Sequence, residues 1–525
     1  MNFRNYQFLG ATQSLCPECL TVVPAKILNR DGRVYFRKHC QEHGMREDFV
    51  CSDATWFDRH VGSAPGKVPL EMAVEPNRGC PYDCGLCTEH EQHTCLGLLE
   101  ITANCNLECP MCFASSAPGL KHLSYDDCVR AIDHLVAAEG QPEVLQLSGG
   151  EPTIHPRFLD LLAYACDQPI DVVMINTNGV RLARDRRFLE VVAEHRKRAE
   201  VYLQFDGFDN TVYQSLRGEP LLESKLACVQ ACGELGINVT LVATLQAGVN
   251  FGANSDSSWL GRLLDFATER PWVTGVSFQP ATYVGRHFLP EELEQRVTFP
   301  DVIHAIERET DGRWQESDFT PLPCAHPNAH TVAYGYRAGG RTTPLARLID
   351  IAEHIDLLSG RITYTRPRAR DLIQEVMNRR CCGSGGCCEP REPNALASGE
   401  LPVVSTTSNR VNLGREPAAS AYGSQSLEEI GQEFTLRALS ENLDPCDMFR
   451  ITTTSFMDAY NFDIRQLMKS CVHFVLPSGH IIPFSAYNTL YREGHVPLPE
   501  LKAASLCHSD GSSATEESRL PVREG

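Results

Sequence analysis

The sequence predicts an α/β chain in which a parallel-stranded core follows a cysteine-rich metal-binding region and precedes a long C-terminal extension. Three observations carry that reading. Between residues 98 and 290, six short apolar runs alternate with helical patterns, the signature of successive βα units. Before residue 98 the chain is rich in cysteine and turn formers and poor in core residues. The cysteines, 23 in all, fall in metal-ligand spacings.

The elements follow in order. CPEC at 16–19 precedes a turn at 29–32, VYF at 34–36 and CQEHG at 40–44, the pattern of a hairpin folded around a metal within a loop-dominated segment. PNRGCPYDCGLC at 76–87 has too few apolar residues to fold unaided and needs a staple. LLEIT at 98–102 reads as the first buried strand. Ser124 caps a helix with Asp127 at its third position, and Gly140 stops it. Strands follow at 144–148, 171–176, 201–205, 238–245 and 272–280, with helices at 156–166, 221–236 and 259–269. Apolar runs of this kind expect burial on both faces, and right-handed crossovers follow from sheet twist. Six such units form either an open, curved partial barrel or a flat doubly wound sheet. Helical candidates lie near 289–310 and 343–357, a polar, flexible stretch spans about 381–430, and HFVLPSGHIIPFSAYN at 473–488 reads as two short strands around a 478–479 turn. The last twenty residues read as disordered.

Composition narrows the function classes. Acidic residues exceed basic ones by 67 to 48, a formal charge of −19. Nothing recommends a nucleic-acid partner. The first residues lack the apolar core of a signal peptide, and no run of eighteen apolar residues could span a bilayer. The expectation is a cytoplasmic chain whose cysteines serve as metal ligands rather than disulfides.

Cys105, Cys109 and Cys112 stand just after the first strand in the spacing C-x3-C-x2-C. Three soft thiolates suit iron in a [4Fe–4S] cubane and leave one iron without a protein ligand. A zinc site completed by His90 or His93 is the alternative. Cys16, Cys19 and Cys40 resemble three corners of a tetrahedral iron or zinc site, with His43 or Cys51 as the fourth. Cys80, Cys84, Cys87 and Cys95 form a complete second set, read as an auxiliary [4Fe–4S] cluster, with structural zinc as the alternative. Cys324, Cys446 and Cys471 are further candidates with His326, His330 or His473 nearby in sequence; CCGSGGCC at 381–388 offers adjacent thiols that ligate one centre only awkwardly.

CNLECPMCF resembles the signature of the radical S-adenosylmethionine (SAM) superfamily. The resemblance implies a partial (β/α)6 radical SAM barrel over about 98–290. It also implies that the open iron is chelated by the amino and carboxylate groups of SAM, and that one electron from the reduced cluster yields methionine and a 5′-deoxyadenosyl radical that abstracts hydrogen from an unactivated position. Phe113 resembles the aromatic position near the adenine. LSGGEPT at 147–153 resembles the motif contacting the SAM amino group, with Gly149 and Gly150 permitting close backbone approach and Glu151 accepting from the ammonium. NTNG at 176–179 resembles the ribose-contact region, with Asn178 the residue of interest; Gln204 and Asp206 follow the fourth strand at the cofactor end.

CPEC…CQEHG, GCPYDCGLC and ITANCNLECPMCFASS together resemble, over roughly 12–320, archaeal tetraether lipid synthases and the related methanopterin-type radical SAM methylases. That resemblance implies a rubredoxin-like N-terminal site, auxiliary cubanes, and carbon–carbon bond formation at an unactivated carbon by lipid-chain coupling or methylation. The division it suggests is 1–60 as a rubredoxin-like or zinc-ribbon-like domain, 61–97 as an auxiliary cluster segment, 98–290 as the barrel, 291–505 as the extension and 506–525 as a tail. The expected partners are a lipid or small organic substrate and a physiological electron donor, with transient contact to a membrane surface left open; the oligomeric state is not legible. This chain carries Ala329 and Ser485 in regions where the family pattern has cysteines, so a C-terminal cluster is either lost, altered or ligated by Cys324, Cys446 and Cys471. Tyr283, Arg286 and His287, after the sixth strand, are placed to line a substrate pocket. A non-enzymatic iron–sulfur electron carrier or scaffold is the rival reading.

Overall fold

A computed structural model describes residues 4–59, 66–252, 255–350, 353–354, 366–382 and 425–502. The polar stretch near 381–430 lies almost entirely outside them, as do the side chains of CCGSGGCC and the final twenty residues.

The N-terminal region is more regular than a loop-dominated hairpin. Strands β1 (Gln7–Leu15), β2 (Val22–Arg30), β3 (Arg33–Cys40) and β4 (Gly44–Cys51) form an antiparallel sheet in sequential order. Alternation in β2 and β3 buries Ala25, Ile27, Val34 and Phe36 on one face. Lys38 is the exception. It is 1% exposed, 3.0 Å from Asp48, and its ammonium donates to the carbonyls of Leu15, Ala459 and Tyr460. One buried cation therefore ties this sheet to the C-terminal extension.

The central sheet runs through β5 (Leu96–Thr102), β6 (Val144–Gly149), β7 (Val172–Thr177), β8 (Ala199–Gln204), β9 (Val239–Leu245) and β10 (Val273–Pro280), each parallel to the next. The expected crossover helices are α1 (Tyr125–Glu139), α2 (Phe158–Asp167), α6 (Leu222–Glu234) and α7 (Trp259–Thr268). Ser124 caps α1 by accepting from Asp127 N, and Gly140 ends it. Three further helices, α3 (Val180–Arg184), α4 (Arg186–Glu194) and α5 (Asn210–Arg217), lie in segments not assigned from sequence. In the 289–310 region a short 3-10 turn (Leu293–Gln295) precedes one α-helix, α8 (Phe299–Glu309).

The extension adds to this sheet at both edges. β14 (Met448–Thr454) pairs parallel with β10 and antiparallel with β12 (His330–Ala338), which also pairs with the short β11 (Thr320–Pro321) and β13 (Arg341–Pro344). At the other edge β15 (Val472–Val475) pairs parallel with β5 and antiparallel with β16 (Ile481–Pro483). The last two are the short strands expected around the 478–479 turn.

Strand faces divide cleanly. Leu99, Ile101, Leu147, Ile175, Leu203, Leu241 and Phe278 point outward into the main core beneath the helices. The intervening residues line a cavity on the inner face, among them Gln146, Asn176, Tyr202, Gln204, Ser277 and Gln279. The strands are therefore not apolar on both faces, because a curved sheet leaves its concave side to be filled or to enclose a ligand.

Candidate functional site

Cys105, Cys109 and Cys112 lie in the loop leaving the C-terminal end of β5, where parallel sheets place their sites. The loop is clamped by Arg286. Its backbone forms a two-way bridge with Cys112 (2.8 and 2.9 Å), and its guanidinium donates to the carbonyls of Cys109 and Ser116. Cys105 and Cys109 pack with Leu107, Tyr213 and Leu221. Burial pushes the Cys105 thiol up to about 12 and raises that of Cys109. Metal loading must displace those protons, so it strengthens as pH rises. Cys112 and Phe113 border the cavity. A three-thiolate loop opening on a cavity fits a cubane with one corner left for a small ligand.

The glycine motif packs under this loop. Gly149 has φ +130°, and a Cβ there would meet the Thr102 carbonyl oxygen at 2.1 Å; one on Gly150 would meet the Asn104 carbonyl at 2.3 Å. Gly149→Ala is expected to destabilise the fold by about 1–3 kcal/mol, the usual range for such strain, read as a lowered midpoint in denaturant.

Two residues expected to face the cofactor instead hold others. Glu151 is fully buried and absent from the cavity wall. Its Oε1 accepts from Thr153 N, Thr153 Oγ1 and Thr177 Oγ1, and its Oε2 accepts from Asn178 N at 2.7 Å. Asn178 in turn donates to Asn106 Oδ1 in the cysteine loop at 2.7 Å. Glu151 therefore acts on the loop through Asn178 rather than presenting a free acceptor. Asp206 is likewise fully buried, in a bidentate pair with Arg217 (2.7 and 2.8 Å). Arg217 reaches the cavity in its place. Its position at the C-terminal end of α5, just before Gly218, hides it in sequence, since a cation at a helix end usually reads as a surface group. Gln204 and Phe113 do line the cavity.

Of the three residues after β10, only Arg286 lines it. Tyr283 is buried beneath Arg296 with its N–H on Asp458, and His287 is exposed. Arg492, unremarkable in sequence, pairs with Glu100 (2.8 Å) and lies over the rings of Phe474 and Tyr487, close to Phe113.

The cavity measures about 220 Å³. One sector, from Leu96, Leu98, Val144, Met174, Phe456 and Phe484, is apolar; the other presents Tyr202, Gln204, Ser277, Gln279, Tyr334 and Arg450. Tyr202 donates to Ser277 Oγ at 3.0 Å and accepts from Gln279 Nε2 at 3.1 Å, whereas Gln146 Nε2 is buried with no protein partner.

At the N-terminal sheet, Cys16, Cys19, Cys40 and His43 bring their ligand atoms within 4.8 Å of one another. Cys19 and Cys40 sulfurs are 3.7 Å apart, and His43 Nδ1 is 3.5 Å from Cys16 and Cys40. Edges of roughly 3.8 Å between sulfurs and 3.5 Å from sulfur to nitrogen are those of a tetrahedron around one zinc ion. His43 thus completes the set. Cys51 does not: it is buried at the far end of β4, opposite Val34, with its thiol on the Asp53 carbonyl.

The second cysteine set also changes membership. Cys80, Cys84 and Cys87 stay near one another, with Cys84 N donating to the Tyr491 hydroxyl. Cys95 belongs elsewhere. It immediately precedes β5 as Cys471 precedes β15, and because Leu96 pairs with Val472 the ladder sets the two cysteines side by side, Cys95 N donating to Cys471 O at 3.0 Å. Cys324 joins them, and all three sulfurs lie within 4.8 Å of one another. Cys446 is not among them. It is exposed, ahead of Met448, whereas Thr454 at the other end of β14 lies opposite His330, so the strand separates Cys446 from the triad by roughly 20 Å. At the two positions lacking the family cysteines, Ser485 Oγ accepts from Met457 N and Ala329 is buried.

Among the described residues, no helix is long and apolar enough to cross a membrane.

Residues 8–52 match the HMPTM N-terminal zinc ribbon domain, and residues 99–253 match the Radical SAM superfamily. The chain is 31% identical over 524 residues, 94% of its length and 96% of the relative's, to the 7,8-dihydro-6-hydroxymethylpterin dimethyltransferase of Methanocaldococcus jannaschii. It is 30% identical to the GTP 3′,8-cyclase of Edwardsiella ictaluri over 163 residues, 30% of this chain and 47% of that protein. The crystal structure of Streptococcus suis SuiB bound to S-adenosylmethionine aligns with a TM-score of 0.33 at 17% identity, over 42% of this chain and 47% of that one. The ribbon at the N-terminus, the three-thiolate loop at the end of β5 and an identity that runs nearly end to end with one relative make this chain a radical SAM enzyme of the family that includes the M. jannaschii dimethyltransferase.

Proposed function

We propose that the chain forms a carbon–carbon bond at an unactivated carbon, by methylating a small ring substrate that carries both apolar and hydrogen-bonding edges. The substrate hydrogen would leave in 5′-deoxyadenosine, a second SAM would give up its methyl and leave as S-adenosylhomocysteine, and two electrons from the reductant would balance the two cleavages. The two-sided cavity beside Cys112 is the observation that supports this most directly. Cys105, Cys109 and Cys112 would hold a [4Fe–4S] cluster and, with SAM, supply a carbon-centred radical able to take hydrogen from such a carbon. Arg286 fixes the cysteine loop, Phe113 walls the cofactor end, and Arg217, set by Asp206, presents a cation to the cavity. Tyr202, Ser277 and Gln279 form a chain of donors and acceptors suited to the heteroatoms of a ring, and the uncommitted Gln146 amide adds a donor. The methyltransferase name of the near full-length relative agrees with a methyl group as the unit installed. Cys80, Cys84 and Cys87 are proposed ligands of an auxiliary [4Fe–4S] cluster, and a physiological electron donor is the expected partner.

Coupling of hydrocarbon chains is a second reading, favoured by the apolar sector. The two separate in one experiment: anaerobic protein with SAM and dithionite, given a dihydropterin, ether-lipid vesicles or neither, with 5′-deoxyadenosine and substrate mass followed. Pterin-dependent mass gain supports methylation, lipid-dependent coupling overturns it in favour of the second reading, and failure to cleave SAM under any condition sinks both.

A further inference from the structure

We propose that Cys95, Cys324, Cys471 and His93 hold a single tetrahedral metal ion, zinc or ferrous iron, rather than a cubane. The argument starts from spacing. Ligands on one ion sit roughly 3.5–3.8 Å apart, whereas a cubane spreads its thiolates over separate irons and holds them farther apart. The sulfurs of Cys95, Cys324 and Cys471 close to within 4.8 Å, as the ribbon's single-ion ligands do. The cysteines of the β5 loop do not form so tight a group.

The ladder between β5 and β15 fixes two of these cysteines. The third is held by Gln92, whose amide donates to the Cys324 carbonyl. All three are buried.

The fourth corner would fall to an imidazole that at present reaches only one of the three sulfurs: His93 lies beside Cys95 and Glu143 but not within 4.8 Å of all three thiolates, so a bound ion would have to draw its ring inward. His93 Nε2 lies 3.4 Å from Cys95 Sγ, close to a sulfur–nitrogen tetrahedral edge. Its Nδ1 lies 3.0 Å from Glu139 Oε2, and both side chains are 1% exposed. Glu139 is itself held by Thr94 N on its other oxygen, at 2.7 Å. A histidine whose outer nitrogen donates to a carboxylate while the inner one faces thiolates is the usual arrangement of a metal ligand and its orienting partner. His330 is the competing imidazole: it faces Cys471, but its Nδ1 is partnered by Thr454 rather than by a carboxylate. Glu143 brings a carboxylate oxygen within 4.8 Å of the His93 and Cys95 ligand atoms. Because Cys471 also borders the large cavity, the ion would brace the wall against which substrate rests.

The test uses the full chain, anaerobically reconstituted, with cobalt(II) as the probe and acid-labile sulfide counted in parallel. Cys16→Ser/Cys19→Ser removes the ribbon site. In that background about one equivalent of cobalt with thiolate charge-transfer bands is expected to remain. Adding Cys471→Ser or His93→Gln should remove it, Glu139→Gln should weaken it by about 10–100-fold, and His93→Cys should keep the ion with stronger charge-transfer absorption, which shows that the fold survives change at this position. His330→Ala should leave it in place. The proposal is overturned if the ribbon-silenced protein takes up no cobalt, or if Cys324→Ser removes iron and sulfide together. It is equally overturned if His330→Ala releases the ion while His93→Gln keeps it.

Discussion

Cys109→Ala protein, reconstituted anaerobically, is expected to keep its ribbon ion and lose both its β5-loop cluster and its ability to cleave SAM. Cys109 is buried beside Cys105, and its carbonyl is already committed to Arg286, so alanine preserves the backbone clamp while deleting one of three thiolates. No other cysteine of the described residues packs into this cluster of side chains, so no substitute ligand is at hand. Loss of an outer-shell partner alone lowers metal affinity or activity by about 10–100-fold. Loss of a direct ligand should exceed the upper end of that range. The measurements are iron and sulfide per chain, the visible cluster absorbance, and methionine plus 5′-deoxyadenosine after dithionite. Undiminished cleavage would remove Cys109 from the site. A fall in the thermal midpoint with the cluster intact would instead mark it as a packing residue.

Why Cys109 could be singled out from sequence, and Arg217 could not, is a matter of range. The six central strands are predominantly apolar runs, and the cysteine triplet and the glycine pair are local patterns whose chemistry sits within a few residues. The strands of the extension are short, and MFRITTT in β14 alternates like any half-exposed strand; its place between β10 and β12 depends on pairing across more than a hundred residues. The same distance misled the reading of Cys95. In sequence it completes a set with Cys80, Cys84 and Cys87, but a strand leaves it on the β15 side, next to Cys471. Glu151 and Asp206 are conspicuous in sequence, Glu151 within LSGGEPT and Asp206 just after a strand. Their orientation was not legible, because it depends on Asn178 and Arg217 arriving from other elements. Both strand faces are largely buried as expected, but the polar wall of the inner one is not legible for a related reason: Gln146, Asn176 and Tyr202 interrupt the apolar runs singly, and only sheet curvature brings them to one wall.

Lys38→Met should cost about 3–5 kcal/mol at neutral pH and loosen the ribbon from the extension. The ammonium is the donor to Leu15, Ala459 and Tyr460 and the partner of Asp48. Methionine fills much of the volume but leaves three buried carbonyls without that donor, each worth about 1–3 kcal/mol when orphaned. Asp48 retains Arg46, at 2.6 Å, so the loss stays near the range found when one member of a buried pair is removed. The pH dependence gives an independent check. Burial, opposed by Asp48, brings the Lys38 ammonium down to about 8 from its ordinary 10.5. Between those values the unfolded chain binds more protons than the folded one, so stability rises with pH across that window; below about 8 both states are charged and the contribution is constant. Lys38→Met should therefore flatten the rise between pH 8 and 10.5 while lowering stability at pH 7. Denaturant titrations across that range would measure both effects, and protease cleavage near residue 460 would report the loosened junction. A variant as stable as wild type at pH 7, with the alkaline rise intact, would mean that Lys38 does not hold the ribbon to the extension.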